Sequence, residues 1–459
     1  MTRGDGSLNS PWDLATALAV NAVPPGCTLY LRGGTYTGDF TCNLNGTLAS
    51  PILIKPYPGE RVIIDGSLAI DGSYTHWYNI EKTQTGVGRW SDEEGSNPVT
   101  LDKGNIVFTG VGVKLINWIV YDQVGDGIGW WAASSGAELY GCVIFNNGWL
   151  STDRGHGHSI YTQNNTANAA KSIKHCILAQ EFGSNSSNLS LYGSAGELSH
   201  YVIDGMIAIT GRTLLGGGEP LTDVLVKNSH VYGEMQFGYS NIENNEFTLQ
   251  DSIVVNPVAN AFRMMSIKTA NITNCILANV ETSPAPLGSD VIVYTYDRLA
   301  AGYLEFIGTG NNYHYTGTEE KQFIYNHPEA TSLKTFAEWQ TLTGSDADST
   351  YSTSAPADSV HVIPNEYDAN KGIIVVWNHT GADSVNVDLT GLLASGDTYR
   401  LRSAINYFGD VATGTVGAGD VIAVDMRAIS HSVAIPRDWE TALIDTTFPK
   451  FGCFVIEKT

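Results

Sequence analysis

The sequence predicts an all-β protein: a right-handed parallel β-helix with an N-terminal capping helix, followed by a small C-terminal antiparallel β-sandwich. Two observations predict the β-helix. Apolar, strand-like runs recur at intervals of roughly 20 to 30 residues between about residue 28 and residue 315, which is the spacing of solenoids. Most intervals hold three short runs, such as "AELYGCVIFNN" from Ala137 and then "GHSIYTQNN" from Gly157. A third observation, a change to longer alternating runs beyond residue 360, predicts the sandwich.

The chain opens with a predicted cap for the solenoid. In "SPWDLATALAV", residues 10–20, Ser10 can cap a helix and Pro11 suits its first position. Leu14, Ala17 and Leu18 then form an apolar stripe. An open end of a β-helix exposes sheet edges, so a short helix is expected to cover it.

Three regions follow from these patterns. The β-helix with its cap takes residues 1–335, and about nine or ten coils are expected within it. Residues 336–359 contain an amphipathic helix in "SLKTFAEWQTLTG" and then a polar, turn-rich linker. Residues 360–459 form the sandwich, with strands such as "GIIVVWNHT" and "GCFVIEK" separated by Gly and Asp turns.

Charge and composition restrict the partners. The chain of 459 residues has a formal net charge of −22, which argues against nucleic acid and against an anionic membrane. No apolar run of 18 residues is present, so no membrane span is expected. The first residues, "MTRGDGSLNS", lack the apolar core of a signal peptide. We expect a secreted, extracellular protein from which the signal peptide has been removed.

Six cysteines do not form a disulfide framework in a chain of this size. Cys142, Cys176 and Cys275 occur in the similar strings "YGCVIF", "KHCILA" and "TNCILA", which predicts buried thiols at one repeated position. Cys27 and Cys42 flank a short strand-like stretch, and whether they pair is left open. The sequence has no CxxC spacing of the kind that would indicate a zinc site.

Aligning the third runs of successive coils predicts which side chains point outward. Ile128, Ile160, Leu189, Leu214 and Met235 are expected to stack inward, so the alternation of a strand turns their neighbours to the surface. Aromatic faces bind the apolar faces of sugar rings, and amides and charged groups hold hydroxyls. The sequence therefore predicts a glycan-binding groove, whose candidate substrate-binding residues are Trp130, Trp131, Gln163, Tyr192, Arg212, Glu234 and Gln236.

The stretch "STDRGHGHSIYTQNN", residues 151–165, concentrates groups that can move protons. Histidine titrates nearest to neutral pH, and a neighbouring Asp would fix its tautomer and raise its basicity. Asp126 falls one coil before His158, so the two form the expected pair, while Tyr161 could protonate a leaving oxygen and Arg154 could hold a carboxylate. The candidate catalytic residues are His158, His156, Tyr161, Asp126, Asp153 and Arg154. A polar turn ladder with histidines bonded to backbone is the alternative, and no third ligand for a metal is evident.

Several strings resemble a known superfamily. "SPWDLATAL…PPGCTLYLRGGTYTGDF" is similar to the N-terminal entry of bacterial pectate-lyase-like β-helix proteins, and "FAEWQTLTGSDADS" resembles their exit segment. "VDLTGLLASGDTYRLRSAINYFG" is similar to C-terminal domains of carbohydrate-active proteins. "GHGHSIY" resembles the catalytic-histidine string of polygalacturonase-type hydrolases, without their Asp-Asp pair or Arg-x-Lys string. The Asp cluster and the Arg-rich strand of calcium-dependent pectate lyases are not evident either.

The resemblance implies a polysaccharide-degrading enzyme. The expected reaction is β-elimination on a glycan containing uronic acids, with a polysaccharide as the partner and with no cofactor, calcium remaining possible. One alternative is a glycoside hydrolase that uses paired carboxylates. A second is a non-catalytic glycan-binding or tailspike-like adhesion protein that uses the same groove. The sequence leaves the oligomeric state open.

Overall fold

The computed structural model describes residues 4–86, 88–179, 187–191 (backbone only), 198–239, 242–257, 259–280, 291–296, 305–318, 320–327, 330–409, 411–427 and 447–459. Its contacts divide the chain into two units. The first comprises residues up to Asp204 together with Leu214–Leu225, and the second comprises Gly205–Thr213 and most of the chain from Val226 onward. No helix in the described ranges is long and apolar enough to cross a membrane.

The first unit is built from coils of three short strands that pair in parallel with the equivalent strands of the next coil. Interior residues stack in register along each row: Ile54 pairs with Trp77, Trp77 with Leu115, Leu115 with Leu139 and Leu139 with Ile173. All five are fully buried, which makes one continuous apolar column. The strands of the first row are Thr28–Leu31, Ile52–Pro56, Thr75–Tyr78, Lys114–Ile116, Glu138–Tyr140, Lys171–Lys174 and Leu198–Asp204. Those of the second row are Gly34–Thr37, Val62–Asp65, Glu81–Thr83, Ile119–Tyr121, Val143–Phe145 and Ile177–Ala179. Those of the third row are Phe40–Cys42, Leu68–Ile70, Ile106–Phe108, Ile128–Trp130, Ile160–Thr162 and Ser187–Leu191.

The second unit continues the parallel pairing of successive coils, with longer strands. His230–Phe237 spans two rows in one strand, pairing with Ile253–Asn256 through its first half and with Phe262–Met265 through its second. Ile207–Leu215 and Leu221–Lys227 contain residues of both units. The other parallel strands are Asn244–Gln250, Ile267–Thr273, Ile276–Asn279, Val293–Tyr296, Glu305–Thr309, Asn312–Tyr315, Phe323–His327 and Thr350–Ser352. Ala330–Lys334 pairs antiparallel with Phe323–His327. The prediction of a parallel β-helix is confirmed.

One residue with positive φ joins the first strand of a coil to the second, and it explains the repeated cysteine strings. Asn117 has φ 58° and His175 has φ 50°, a region that asparagine and glycine tolerate best. The next side chain turns into the interior, where Trp118, Cys142 and Cys176 are fully buried. Cys275 takes the same place after Asn274 in the second unit, so the predicted repeated position is confirmed. All six cysteines, including Cys27 and Cys42, are free thiols.

Two lysines lie inside the first unit, which the sequence patterns did not reveal. The Lys82 ammonium donates to the carbonyl of Thr83 at 3.1 Å and to the Gln123 amide at 2.6 Å, and its burial lowers its pKa to about 7. Lys171 lies 4.7 Å from the Trp130 ring and donates to the carbonyls of Trp131 (2.8 Å) and Gln163 (2.6 Å). Its pKa is also well below the ordinary value because of burial. Lys171 therefore ties together the main chain of two adjacent coils, after the strands Ile128–Trp130 and Ile160–Thr162.

Both predicted helices are present, but their boundaries differ from the prediction. The N-terminal helix is only Leu14–Ala17, and Asp13 caps it by accepting the Thr16 N–H at 2.7 Å, so the expectation that Ser10 is the cap is wrong. The apolar stripe of Leu14, Ala17 and Leu18 is buried as predicted. The second helix, Phe336–Thr343, begins with a capping box between Thr335 and Glu338 and ends at Gly344 with φ 63°.

Part of the segment interpreted as a linker is packed. Asp346 is fully buried, and its carboxylate accepts hydrogen bonds from Tyr313 Oη (2.9 Å), Trp339 Nε1 (3.2 Å), Asn311 Nδ2 (3.0 Å) and Ser349 Oγ (2.6 Å). This carboxylate joins the second helix to a coil strand, and Thr350–Ser352 then pairs with Asn312–Tyr315.

Where the structure describes it, the C-terminal region contains two antiparallel sheets, as predicted. The first has five strands in the order Ser359–Pro364, Lys371–Trp377, Phe451–Lys458, Thr398–Ser403 and Val411–Thr415. The second pairs Ser384–Asp388 with Val421–Asp425, and a short 3₁₀ turn covers Ala404–Asn406. The division of contacts places these sheets in the second unit, together with the coils from Val226 onward.

Candidate functional site

The first half of the 151–165 stretch is a hairpin added to the side of a coil. Trp149–Ser151 pairs antiparallel with Gly155–His156 and parallel with Trp90–Ser91. Glycine is required where the hairpin returns to the coil, because a Cβ on Gly157 would lie 2.4 Å from the Cα of Gly148. The glycine after His156 is therefore set by backbone approach.

His156 is enclosed by this hairpin. Its Nε2 lies 2.9 Å from Ser151 Oγ and 3.0 Å from Asp153 Oδ1, and its ring stacks on Trp149 at 4.6 Å. Only 4% of the residue is exposed, and burial lowers the pKa of His156 although Asp153 acts in the opposite direction. The Ser151 hydroxyl and His156 in turn hold the pKa of Asp153 well below its usual range. Arg154 extends to Ser96 Oγ at 2.9 Å. Three candidate catalytic residues, Asp153, Arg154 and His156, therefore make contacts that hold the hairpin in place.

His158 begins the next segment and is partly exposed. Its carbonyl accepts the Gly127 N–H at 2.8 Å, and its own N–H is bonded to the Asp126 carboxyl, so the predicted neighbours do meet across adjacent coils. The hydrogen bond is made to the main chain of His158, whereas the sequence suggested its ring. Asp153 and His156 form an Asp–His side-chain pair in the neighbouring hairpin.

Tyr161 lies on the outer face of its strand, between the fully buried Ile160 and Thr162. The predicted register of Ile128, Ile160 and Leu189 is confirmed, and it sets Tyr161 beside Gly129. The ring of Tyr161 stacks on His158 at 5.4 Å and meets the partly exposed Trp131 edge-on at 5.4 Å. We call Asp126, His158, Tyr161, Trp131 and the nearby Lys103 the His158 cluster.

Asp126 has a strongly altered acidity. Desolvation of its carboxyl raises its pKa to about 7, and the His158 N–H and the charge of Lys103 offset only part of this effect. Lys103 has a lowered pKa from its own desolvation, with Asp126 opposing it. A carboxyl that exchanges its proton near neutral pH, beside a partly exposed imidazole and a phenol, is typical of acid–base catalysis.

The loop that brings Lys103 to the cluster is an insertion of more than twenty residues between Glu81–Thr83 and Ile106–Phe108. Buried Arg89 fastens it to the coil by donating to the carbonyls of Gly148 (2.9 Å) and Gln123 (3.0 Å), with Asp122 at 3.4 Å. Lys103 itself donates to the Ser96 carbonyl at 2.9 Å. Sequence reasoning missed both residues, although the length of the insertion was a signal.

Two of the predicted binding residues in the first unit are buried, and a third lies outside the described residues. Trp130 is wholly buried against Phe108, because it shares the inward face of its strand with Ile128, so its assignment to the ligand surface is wrong. Gln163 is only 6% exposed, with its carbonyl bonded to Lys171. Tyr192 lies outside the described residues.

The remaining candidates, Arg212, Glu234 and Gln236, lie in the second unit. Gln236 is only 1% exposed and donates to the Gly238 carbonyl at 2.8 Å, so the expectation that it lies on the ligand surface is wrong. Arg263, which the sequence analysis did not select, pairs with Glu234 at 3.1 Å and lies 5.3 Å from the Tyr294 ring. Arg212 is partly exposed and approaches Gln236 Oε1 at 3.5 Å. Burial raises the pKa of Glu234 despite both arginines. We call these five residues the Arg263 cluster.

Within the described ranges, no three His, Cys, Asp or Glu side chains converge as metal ligands would. The mechanism proposed for this protein depends on no metal ion.

We expect Asp126→Asn to make the protein more stable at pH 8 and not at pH 4. A carboxyl with a folded-state pKa of about 7 and an ordinary value of 3.8 favours folding when protonated, and this contribution is lost as pH rises through that interval. The gain at pH 8 has an upper limit of roughly 4 kcal/mol, at 1.36 kcal/mol for each pKa unit. Melting temperatures of both proteins at the two pH values measure it. A variant that is less stable than the wild type at pH 8 contradicts the assignment.

Comparison with known proteins adds a local match and distant similarities. Pectate lyase PEL9 of Emericella nidulans is 41% identical over 63 residues, which span 13% of this chain and 15% of that protein. Pectate lyase Pel9A has a similar structure, with a TM-score of 0.40 at 13% identity over 72% of this chain and 79% of that one. An alginate lyase from Paenibacillus sp. str. FPU-7 has a TM-score of 0.36 at 16% identity, covering 68% of this chain and 96% of its own. No family model matches the chain.

Proposed function

We propose that this protein is a secreted polysaccharide lyase that cleaves a uronic-acid-containing glycan by β-elimination. The observation that carries the proposal is the His158 cluster, where a carboxyl with a pKa of about 7 borders a partly exposed imidazole, a phenol and an indole. The stretch that matches a pectate lyase at 41% identity supports the same reaction class. A polymer is too large to enter a cell, which favours action outside it.

β-Elimination requires a base and an acid on one sugar ring. The base removes the proton next to the sugar carboxylate, and the freed electron pair forms a carbon–carbon double bond. The bond to the glycosidic oxygen breaks, and that oxygen takes up a proton. We assign the base to His158 and the acid to Tyr161, whose rings stack at 5.4 Å. The Asp126 carboxyl can bind or release a proton near neutral pH. The ring of Trp131 provides an apolar face for the sugar.

Carboxylate recognition is assigned to Arg154 of the first unit, which donates to Ser96, the residue whose carbonyl Lys103 also contacts. The chain has a net charge of −22, so a polyanionic substrate needs local cations. Arginine binds carboxylates in a bidentate manner, and the Arg154 side chain is 45% exposed.

Incubation with a panel of acidic and neutral polysaccharides tests the proposal. Ultraviolet absorbance detects the conjugated double bond of an unsaturated uronate, and reducing ends report any chain cleavage. We expect both signals to rise together on a uronic acid polymer. Reducing ends without absorbance would instead indicate a glycoside hydrolase, and silence on every polymer would indicate a glycan-binding protein.

Arg154→Ala is expected to raise KM for the acidic polymer by about 10-fold while kcat changes little, because the interaction is made equally in the ground and transition states. The effect should shrink as ionic strength rises, since an exposed charge pair is screened by salt. Arg154→Lys is the matched control and should recover part of the affinity. Initial rates at low and high salt measure it, and an unchanged KM for Arg154→Ala would remove Arg154 from the substrate-binding residues.

A further inference from the structure

Two histidine rings lie against each other, tilted by 54°, where a coil strand of the second unit meets the C-terminal five-stranded sheet. His230 opens the strand His230–Phe237 between Ser229 and Val231, which point into the coil interior, so its own ring points outward. Even so, only 6% of His230 is exposed, because His361 from the strand Ser359–Pro364 covers it at 4.5 Å between ring centroids. Trp377 completes the contact from the next strand.

The hydrogen bond from Trp377 fixes the protonation state of His230. The indole Nε1 lies 3.1 Å from Nδ1 of His230, and an indole nitrogen can only donate. Nδ1 must therefore carry no proton, and His230 is neutral when the sheet is docked. A second proton would set one N–H against another and place a cation beside the neighbouring imidazole of His361.

Other groups around the contact oppose protonation as well. Burial and the facing His361 lower the pKa of His230 to about 3, and burial lowers the pKa of His361, whose Nε2 lies 3.1 Å from Ser359 Oγ. Tyr232 and Phe451 stack beside them at 5.1 Å and bring no charge.

A third histidine extends the contact. His379 stacks on Trp377, with their ring centroids 5.8 Å apart. Burial lowers the pKa of His379, and the charges of Lys450 and His314 lower it further, whereas Asp358 raises it. The charged and titratable groups near the contact thus leave its histidines preferentially neutral.

We propose that this contact is an acid-sensitive latch, which holds the C-terminal sheet on the coil at neutral pH and releases it on acidification. In the docked state the imidazole of His230 resists protonation, whereas an undocked imidazole has an ordinary pKa of 6.5. The docked state therefore loses stability as pH falls below that value, and the loss continues towards pH 3. His230 alone should raise the opening equilibrium constant about 30-fold between pH 7.5 and pH 5. The latch is independent of the proposed activity.

Hydrogen exchange of the full chain, followed by mass spectrometry at pH 7.5 and pH 5 and corrected for intrinsic rates, tests the latch. We expect the strands Lys371–Trp377 and Phe451–Lys458 to lose protection at pH 5 while Ile52–Pro56 and Thr75–Tyr78 of the first unit keep theirs. Equal loss in all four strands would indicate general acid unfolding and overturn the proposal, as would unchanged protection.

Two variants separate titration from packing. His230→Gln keeps an acceptor for the Trp377 N–H but cannot be protonated, so most of the pH effect should disappear. His361→Phe keeps a ring against His230 and removes the second titrating group, so it should also weaken the pH effect. His76→Gln, at a partly exposed histidine in the first unit, is the matched control and should leave it unchanged. Full pH dependence in both His230→Gln and His361→Phe would overturn the proposal.

Discussion

His158→Ala is expected to lower kcat for elimination by at least about 1,000-fold, within the range for loss of a general base. The fold should be retained, since the N–H bonded to Asp126 and the carbonyl bonded to Gly127 belong to the main chain and survive the substitution. Initial rates by ultraviolet absorbance, together with a melting temperature within a few degrees of the wild type, check this result.

A matched substitution separates chemistry from packing. His76 is partly exposed on another row of the same unit, so His76→Ala should leave the rate unchanged. Asp126→Asn retains an acceptor for the His158 N–H but cannot titrate. The variant should therefore lack the inflection near pH 7 in the plot of rate against pH. The rest of that plot should be unchanged. Wild-type activity in His158→Ala would move the base to another group, with Lys103 as the next residue to test.

The second large effect is expected for stability. Asp346→Ala should destabilise the protein by about 3 to 5 kcal/mol, because it leaves several buried donors without their acceptor, at roughly 1 to 3 kcal/mol for each unsatisfied group. These donors include Tyr313 Oη and Trp339 Nε1, which come from a coil strand and from the second helix. The urea midpoint of the second unit measures the loss.

Asp348→Ala is the control, two residues away. This exposed carboxylate also accepts two hydrogen bonds, from Thr309 Oγ1 at 2.7 Å and from the Gly310 N–H at 3.0 Å. Water can replace it, so the cost should stay below about 1 kcal/mol. A similar loss in both variants would show that burial of Asp346 does not decide its contribution.

The candidate site was predictable in part. Alternation placed Tyr161 on the outer face correctly, and the coil spacing correctly brought Asp126 beside His158. The same alternation should have excluded Trp130, which shares the inward face of Ile128. Arg263 pairs with a carboxylate and a ring that are distant in sequence, so no local pattern indicated it.

The sequence by itself determined the repeating architecture of this protein. A coil is encoded locally: apolar alternation makes each strand, and an asparagine, glycine or histidine that tolerates positive φ makes the joint, as at Asn117 and His175. Only the tertiary structure decided the acidity of Asp126 and the positions of Lys103 and Lys171. Those properties arise from desolvation and from contacts between residues tens of positions apart, which periodicity along the chain cannot encode.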